Sequence, residues 1–211
     1  MKYSSFANMR PTAYLFYSML HPSDGFQEMK YNKKGSPLLM CAILVLWAAE
    51  ELFTRIFTDY DLNGYSGADE SLFRVAIITF LTFLIAVAAN WCFCTLLDGK
   101  GRMIDIAVVG AYSLTPYILV RYLIIVISHF TTNSVESFLN YAVMAAILWS
   151  FVMIFAGLQV IHEYSAWMTL ASLALTVVGI LIIMFIGLIA VQLYQQIITF
   201  VSTIIMELQY S

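Results

Sequence analysis

Charge is scarce in this sequence, and the scarcity argues against a soluble fold. Only 11% of its 211 residues are Asp, Glu, Lys or Arg, whereas 62% are hydrophobic, and the mean hydropathy is +0.85. Soluble domains are about half apolar and a quarter charged. We therefore expect the lipid bilayer to be the solvent, so that chain length limits the number of membrane spans.

Residues that build nucleic-acid, metal or catalytic sites are also few. Ten Lys and Arg residues, spread over an end of the chain and short loops, make no stripe that follows a phosphate backbone, which argues against nucleic acid as a partner. Cys41, Cys92 and Cys94 lie in apolar runs without the spacing of a redox or zinc motif. His162-Glu163 lacks the second histidine of a metalloprotease motif. We predict no enzyme activity, no metal and no cofactor.

Long apolar runs are what the sequence does contain. A helix crosses ~30 Å of hydrocarbon with about 20 residues, at ~1.5 Å per residue. Five runs reach that length, and we predict spans at Ser36–Phe57, Leu72–Leu97, Met103–Ser128, Ser137–Ile161 and Trp167–Ala190. The predicted fold class is therefore all-α, a bundle of five transmembrane helices in residues 36–190.

The positions of the cations predict the orientation, because Lys and Arg in short loops stay on the cytoplasmic side. Five of the ten lie in residues 1–35, and Lys100 and Arg102 lie in the loop after the second span. None follows Arg121. We expect the N-terminus in the cytoplasm and the C-terminus outside.

Two stretches at the ends of the chain are predicted to be interfacial. In residues 1–35, an aromatic stretch at Thr12–Leu20 precedes a second short helix that reaches Tyr31 and has Ser23 or Asp24 as its cap. In residues 191–211, polar side chains recur at three- and four-residue steps, which indicates one stripe on an amphipathic helix. The stripe consists of Gln192, Gln195, Gln196, Thr199, Ser202, Thr203 and Glu207. This helix lies on the outer leaflet, docks on a partner helix, or simply continues past the membrane.

Ionisable residues inside spans are the first candidates for function, because each is costly at mid-bilayer unless it is paired or hydrated. Counted from the cytoplasmic ends of their spans, Arg121 lies at about the depth of Glu50 and Glu51. We predict an ion pair between Arg121 and one of these glutamates. Snorkelling to the outer surface and a proton or ion relay are the alternatives.

Small residues at four-residue spacing predict where helices approach closely. Candidate packing seams are Ala107, Ala111 and Thr115 on the third span, and Ala142, Ala146 and Ser150 on the fourth. Pro116 is expected to kink the third span and to free the carbonyl near Tyr112.

Residues 98–105, DGKGRMID, and 111–117, AYSLTPY, resemble the second cytoplasmic loop and third helix of the Yip-domain family. The resemblance extends over most of Pro22 to Glu207 and implies a helical membrane protein without catalytic activity. Eukaryotic relatives associate with Rab-type GTPases and with one another in vesicle traffic. The short N-terminus is similar to the bacterial branch, which implies the cytoplasmic membrane. Gly99, Lys100, Gly101, Tyr112 and Pro116 match family motifs and are expected to shape the loop and the kink.

Two functions remain open at this point. The first is a membrane scaffold or accessory subunit that packs against other membrane proteins, such as an ABC-type transporter permease, or against itself. The second is a small-solute or ion transporter or channel, against which the odd number of spans and the lack of an internal repeat argue.

Overall fold

The structure, a computed structural model, describes residues 10–57, 72–128 and 136–210, and within them every regular element is a helix. The helices are α1 (Pro11–Leu20), α2 (Pro22–Asn32), α3 (Pro37–Phe57), α4 (Leu72–Leu96), α5 (Met103–Ser128), α6 (Glu136–His162) and α7 (Ala166–Tyr210). The last five are long and apolar enough to cross a membrane. The predicted all-α class and the predicted number of long apolar helices, five, are confirmed.

Helix α7 does not end at Ala190, where the fifth span was predicted to end. It runs without a break for 45 residues, about 68 Å at the rise of an α-helix. No proline interrupts it, and in its distal half Thr199 donates a hydrogen bond to the Gln195 carbonyl at 2.9 Å, as a side chain in a regular helix does. The predicted amphipathic segment is therefore the end of the fifth long helix.

The two short N-terminal helices form at the predicted places, but the predicted cap is wrong. Helix α2 begins at Pro22 with His21 in the capping position, and neither Ser23 nor Asp24 caps it. Proline is favoured in the first helical position because it has no N–H to satisfy and its φ is already helical. Helix α2 ends before Lys33, whose φ of 51° is left-handed.

Helix α5 is at the centre of the bundle. It packs against α3, α4 and α6, and α1 also reaches it, while α2 packs on α6 and α7 packs mainly on α4. The core is densest between α2, α5 and α6, where Phe26, Val109, Tyr112 and Met153 are fully buried. The short N-terminal helices therefore complete the core of the bundle.

Candidate functional site

The loop between α4 and α5 packs directly on the end of α6. Asp98 has a positive φ of 56°, and the Gly101 N–H donates a hydrogen bond to Nδ1 of His162 at 3.3 Å. A Cβ atom on Gly99 would lie 2.5 Å from both His162 Nδ1 and the Tyr164 hydroxyl. Glycine is required there because the space for a side chain is already occupied.

An ion cluster joins this loop to the N-terminal helices. Glu163, just after α6, accepts from Lys30 at 2.7 Å with one oxygen and from Lys100 at 2.5 Å with the other. Lys30 also donates to the Val160 carbonyl at 3.0 Å. Hydrogen bonds from the two lysines lower the pKa of Glu163 from its usual 4.5 to about 2. One carboxylate therefore connects α2, the α4–α5 loop and α6.

Two other residues that match family motifs lie inside α5. Tyr112 is fully buried, and its hydroxyl accepts a hydrogen bond from the Ser36 N–H at 3.2 Å, which connects α5 to the start of α3. Pro116 lies in the interior of α5, and the helix continues past it to Ser128.

The structure brings Arg121 and Glu50 together between α5 and α3. Arg121 Nε donates to Oε1 of Glu50 at 2.8 Å, and its Nη2 donates to the Thr54 hydroxyl at 3.1 Å. Thr54 in turn donates to the same Glu50 oxygen at 2.9 Å. Glu50 is completely buried, and its other oxygen has no hydrogen-bond partner among the described residues. No ion pair joins Glu51 to Arg121 in the part of the chain that the structure describes.

The candidate packing seams fall on two helices that pack extensively, α5 and α6. Ala111, Thr115 and Ala146 are buried, and the other three, Ala107, Ala142 and Ser150, are half-buried. Gly157 is a further close approach that the four-residue pattern missed, since a Cβ there would meet side chains of Val109 and Phe26.

A polar seam between α4 and α7 was also missed. Asn90 donates to the Thr176 hydroxyl at 2.9 Å, and the Cys94 sulfur lies 3.2 Å from the Ser172 hydroxyl. Thr169, Ser172 and Thr176 are all buried. Their spacing of three and four residues within the fifth span is the signal that points to this seam.

Beyond this seam, α7 extends away from the other helices that the structure describes. A Cβ on Gly187 would meet nothing within 4 Å. Over residues 184–209 every side chain is exposed except that of Ser202, which is half-buried. The predicted polar stripe lies in this part of α7. The large apolar side chains Phe200, Ile204 and Leu208 are 66%, 40% and 74% exposed there.

These features define a polytopic all-α membrane protein whose described residues show no group of ligands that could hold a metal ion. The family model of the Yip1 domain matches residues 16–189, so the chain belongs to the Yip1 domain family, as its loop and third-helix motifs indicated. No curated protein and no solved structure matches it.

Proposed function

We propose that this multi-pass membrane protein is a non-enzymatic scaffold or accessory subunit that binds another membrane protein through the distal part of α7. The observation that carries this proposal is the unpartnered half of α7. The part of α7 that packs on α4 ends before Gly187. We therefore assign residues 36–190 to the bundle and residues 191–211 to the docking segment.

The length of α7 supports this role. A helix needs about 20 residues to cross the hydrocarbon core, and α7 has 45. Whatever tilt it adopts, much of it extends beyond the bundle. The part of α7 beyond the hydrocarbon core exposes its apolar side chains to water, and a continuous apolar surface in water is typical of an interaction site.

The chemistry of the segment favours a protein over a charged lipid surface. It contains no Lys or Arg, and Glu207 is its single acidic residue, so it has no electrostatic attraction to anionic lipid. An apolar helix of another membrane protein, such as an ABC-type permease subunit, or a second copy of this chain suits it better.

Site-specific photo-crosslinking in native membranes tests this proposal. A photoreactive residue at Ile197 or Ile204 is expected to give one adduct of defined mass, which partner-subunit antibodies or mass spectrometry identify. The control position is Val45, which is as exposed on α3 but lies within the bundle. Adducts at all three positions alike, or only lipid adducts at Ile197 and Ile204, contradict docking through α7.

The proposed setting is the bacterial cytoplasmic membrane, with the N-terminus in the cytoplasm. It rests on the number of Lys and Arg residues in residues 1–35 and the α4–α5 loop. One cation from each segment, Lys30 and Lys100, contacts Glu163 at the same end of the bundle. A reporter fused after Ser211 is expected to be active outside the cell. Activity in the cytosol contradicts this orientation.

One observation favours the alternative of ion or solute transport. Oε2 of Glu50 is a buried acceptor without a partner among the described residues, as in sites that take up a proton or cation. Flux through the purified protein in vesicles that disappears in Glu50→Gln would favour transport. Absence of flux for protons and monovalent cations favours the scaffold.

A further inference from the structure

The first half of α7 uses one side to pack on α4. Asn90 donates to the Thr176 hydroxyl at 2.9 Å, and the Cys94 sulfur lies 3.2 Å from the Ser172 hydroxyl. A Cβ atom on Gly179 would also clash with side chains of α4. Residue numbers rise along α7 as they fall along α4, so the two helices run antiparallel. The side of α7 that carries Ser172, Thr176 and Gly179 is termed its α4 side.

Further along the chain, α7 and α4 separate. Gly187 follows Thr176 by 11 residues, about three helical turns, so it also lies on the α4 side. At the same distance along α4 from Asn90, Thr79 would be its neighbour if the helices stayed in contact, because α4 extends past Thr79. A Cβ on Gly187 nevertheless meets no described residue within 4 Å. The α4 side of α7 is therefore open from Gly187 onward.

The open part of the α4 side is an apolar seam. Tyr194 follows Thr176 by 18 residues, about five helical turns, and therefore lies on the same side. From Tyr194 onward, large apolar residues recur at alternating steps of three and four, and their exposed fractions are 40–74%. These residues are Tyr194, Ile197, Val201, Ile204 and Leu208. The predicted polar stripe lies on the opposite side of α7.

The pattern of this seam indicates what covers it. Apolar residues at alternating three- and four-residue steps are the pattern of a helix that packs lengthwise on another helix. The seam itself has no charged residue, and Glu207, the one charged residue of α7, lies outside it. No oppositely charged partner is therefore required. The occupant is expected to be a helix with an uncharged apolar face.

A second copy of this chain does not fit on the α4 side. Copies of one chain insert with the same orientation, so their α7 helices run parallel. Two copies in contact through the seam would bring both α4 helices between the two α7 helices, because each α4 packs on that side of its own α7. Helices in contact are about 8–10 Å apart, which leaves no room for two further helices between them. The occupant therefore comes from another protein.

We propose that a helix of another membrane protein packs its apolar face on the α4 side of α7 along residues 194–208, in line with the path that α4 leaves. This inference rests on the proposed docking role of α7. It adds the side of the helix that docks and the kind of element that the partner supplies.

Photo-crosslinking from the two sides of α7 tests this proposal. In native membranes a photoreactive residue replaces Tyr194 or Val201 on the α4 side, and Gln192 or Thr199 on the opposite side. All four are exposed, and each residue of one pair lies two positions from a residue of the other. We expect a protein adduct of one mass from Tyr194 and Val201, with the linked peptide in an uncharged apolar segment of another protein. This adduct is expected to be lost at Gln192 and Thr199.

Matched variants measure what the seam contributes. In Val201→Ala/Leu208→Ala the adduct yield at Tyr194 is expected to fall at least about tenfold, because apolar surface is removed from the contact. The control is Gln192→Ala/Thr199→Ala, which changes two residues of the opposite side and is expected to leave the yield unchanged. All four residues are exposed in the structure, so neither variant is expected to alter folding.

The outcomes separate this inference from the proposed function. Adducts from the opposite side alone, or equally from both sides, would overturn the inference and leave α7 as a docking segment. An adduct of two copies of the chain, or an unchanged yield in Val201→Ala/Leu208→Ala, would overturn it as well. Lipid adducts alone, or no adduct at any of the four positions, would contradict both the inference and the docking role.

Discussion

Helices α5 and α7 both cross the proposed membrane, yet they relate to the rest of the chain in opposite ways. Helix α7 is the more apolar, with a mean hydropathy of 3.0 against 1.6, but only 11% of its most apolar segment is buried against 50% for α5. In a soluble protein the more apolar helix would be the buried one. Here the more apolar helix, α7, is the less buried one.

The physical reason is that lipid replaces water. Leucine and isoleucine gain little by leaving hydrocarbon for a protein interior, so helices associate through close packing and polar contacts. Helix α5 carries Arg121, Tyr112 and Ser113, which need protein neighbours. The distal half of α7 has no such need within this chain, and its apolar side chains face outward. The differences between these two helices lead to four predictions.

The largest expected effect comes from removing the charge of α5. Arg121→Leu leaves Glu50 buried without a counter-ion and is expected to lower the free energy of unfolding by about 3–5 kcal/mol. Unfolding by sodium dodecyl sulfate from mixed micelles measures this. The double variant Glu50→Leu/Arg121→Leu should recover most of the loss, because no unpaired charge remains.

The matched control for this change is Arg102→Leu. Arg102 also forms an ion pair with a carboxylate, that of Asp105 at 2.8 Å, but its side chain is 70% exposed. No measurable change in stability is expected. A loss as large as that of Arg121→Leu would show that burial does not govern the effect.

The second comparison uses glycine. Gly157→Ala places a methyl group against Val109 and Phe26 and is expected to cost about 1–3 kcal/mol through overpacking. Gly187→Ala, on the free part of α7, meets nothing and is expected to gain about 0.5–1 kcal/mol, because alanine is the better helix former. The same sign for both variants in micelle unfolding would contradict the described difference between the helices.

The third comparison matches one isoleucine from each helix. Ile118 on α5 is 4% exposed, whereas Ile204 on α7 is 40% exposed. Ile118→Ala is expected to cost about 1–2 kcal/mol, mainly from the cavity, since transfer to lipid adds little. Ile204→Ala is expected to change the stability of the isolated protein by less than about 0.5 kcal/mol. An equal loss for both would mean that α7 is covered in the isolated protein.

The smallest expected effect is a dependence on acid at the end of the bundle near α5. The lowered pKa of Glu163 means that its two lysine contacts add stability above the usual pKa of 4.5, and that this stability is lost as pH falls toward about 2. Between those values, the protection of amide hydrogens in residues 98–102, measured relative to the intrinsic exchange rate at each pH, is expected to fall in the natural protein.

The control for this acid effect is Glu163→Gln, in which amide protection at the loop, relative to the intrinsic rate, should already be low at pH 6 and should not change further with pH. Helix α7, with Glu207 as its one charged residue, should show no change over the same range. Protection that falls equally in α7 and the loop would trace the effect to general unfolding.

Parts of this structure were predictable from local sequence. The five long helices follow from hydropathy because each run of about 20 apolar residues must satisfy its own backbone in lipid. Counting residues along the spans placed Arg121 at about the depth of Glu50 and Glu51. In the structure Arg121 pairs with Glu50. Which glutamate faces α5 depends on the rotation of α3 about its axis, and no local pattern contains that information.

The contacts of the N-terminal helices could not be predicted from the sequence. Lys30 and Glu163 are separated by 133 positions, and nothing in either segment indicates the other. Helices α1 and α2 are too short to span a membrane and carry polar residues, so they resemble surface helices, yet Phe26 and Tyr14 are buried in the core. Two short helices become core elements only because α5 and α6 leave a groove for them.

The sequence by itself determined the class of this protein, its five long helices and its membership of the Yip1 domain family, because hydropathy and short motifs are properties of neighbouring residues. Only the tertiary structure decided that α5 is central, that Glu163 joins three elements and that the distal half of α7 packs on no other described helix. The reason is that lipid accepts every apolar helix equally well, so position in the bundle depends on where a few polar and small side chains find partners.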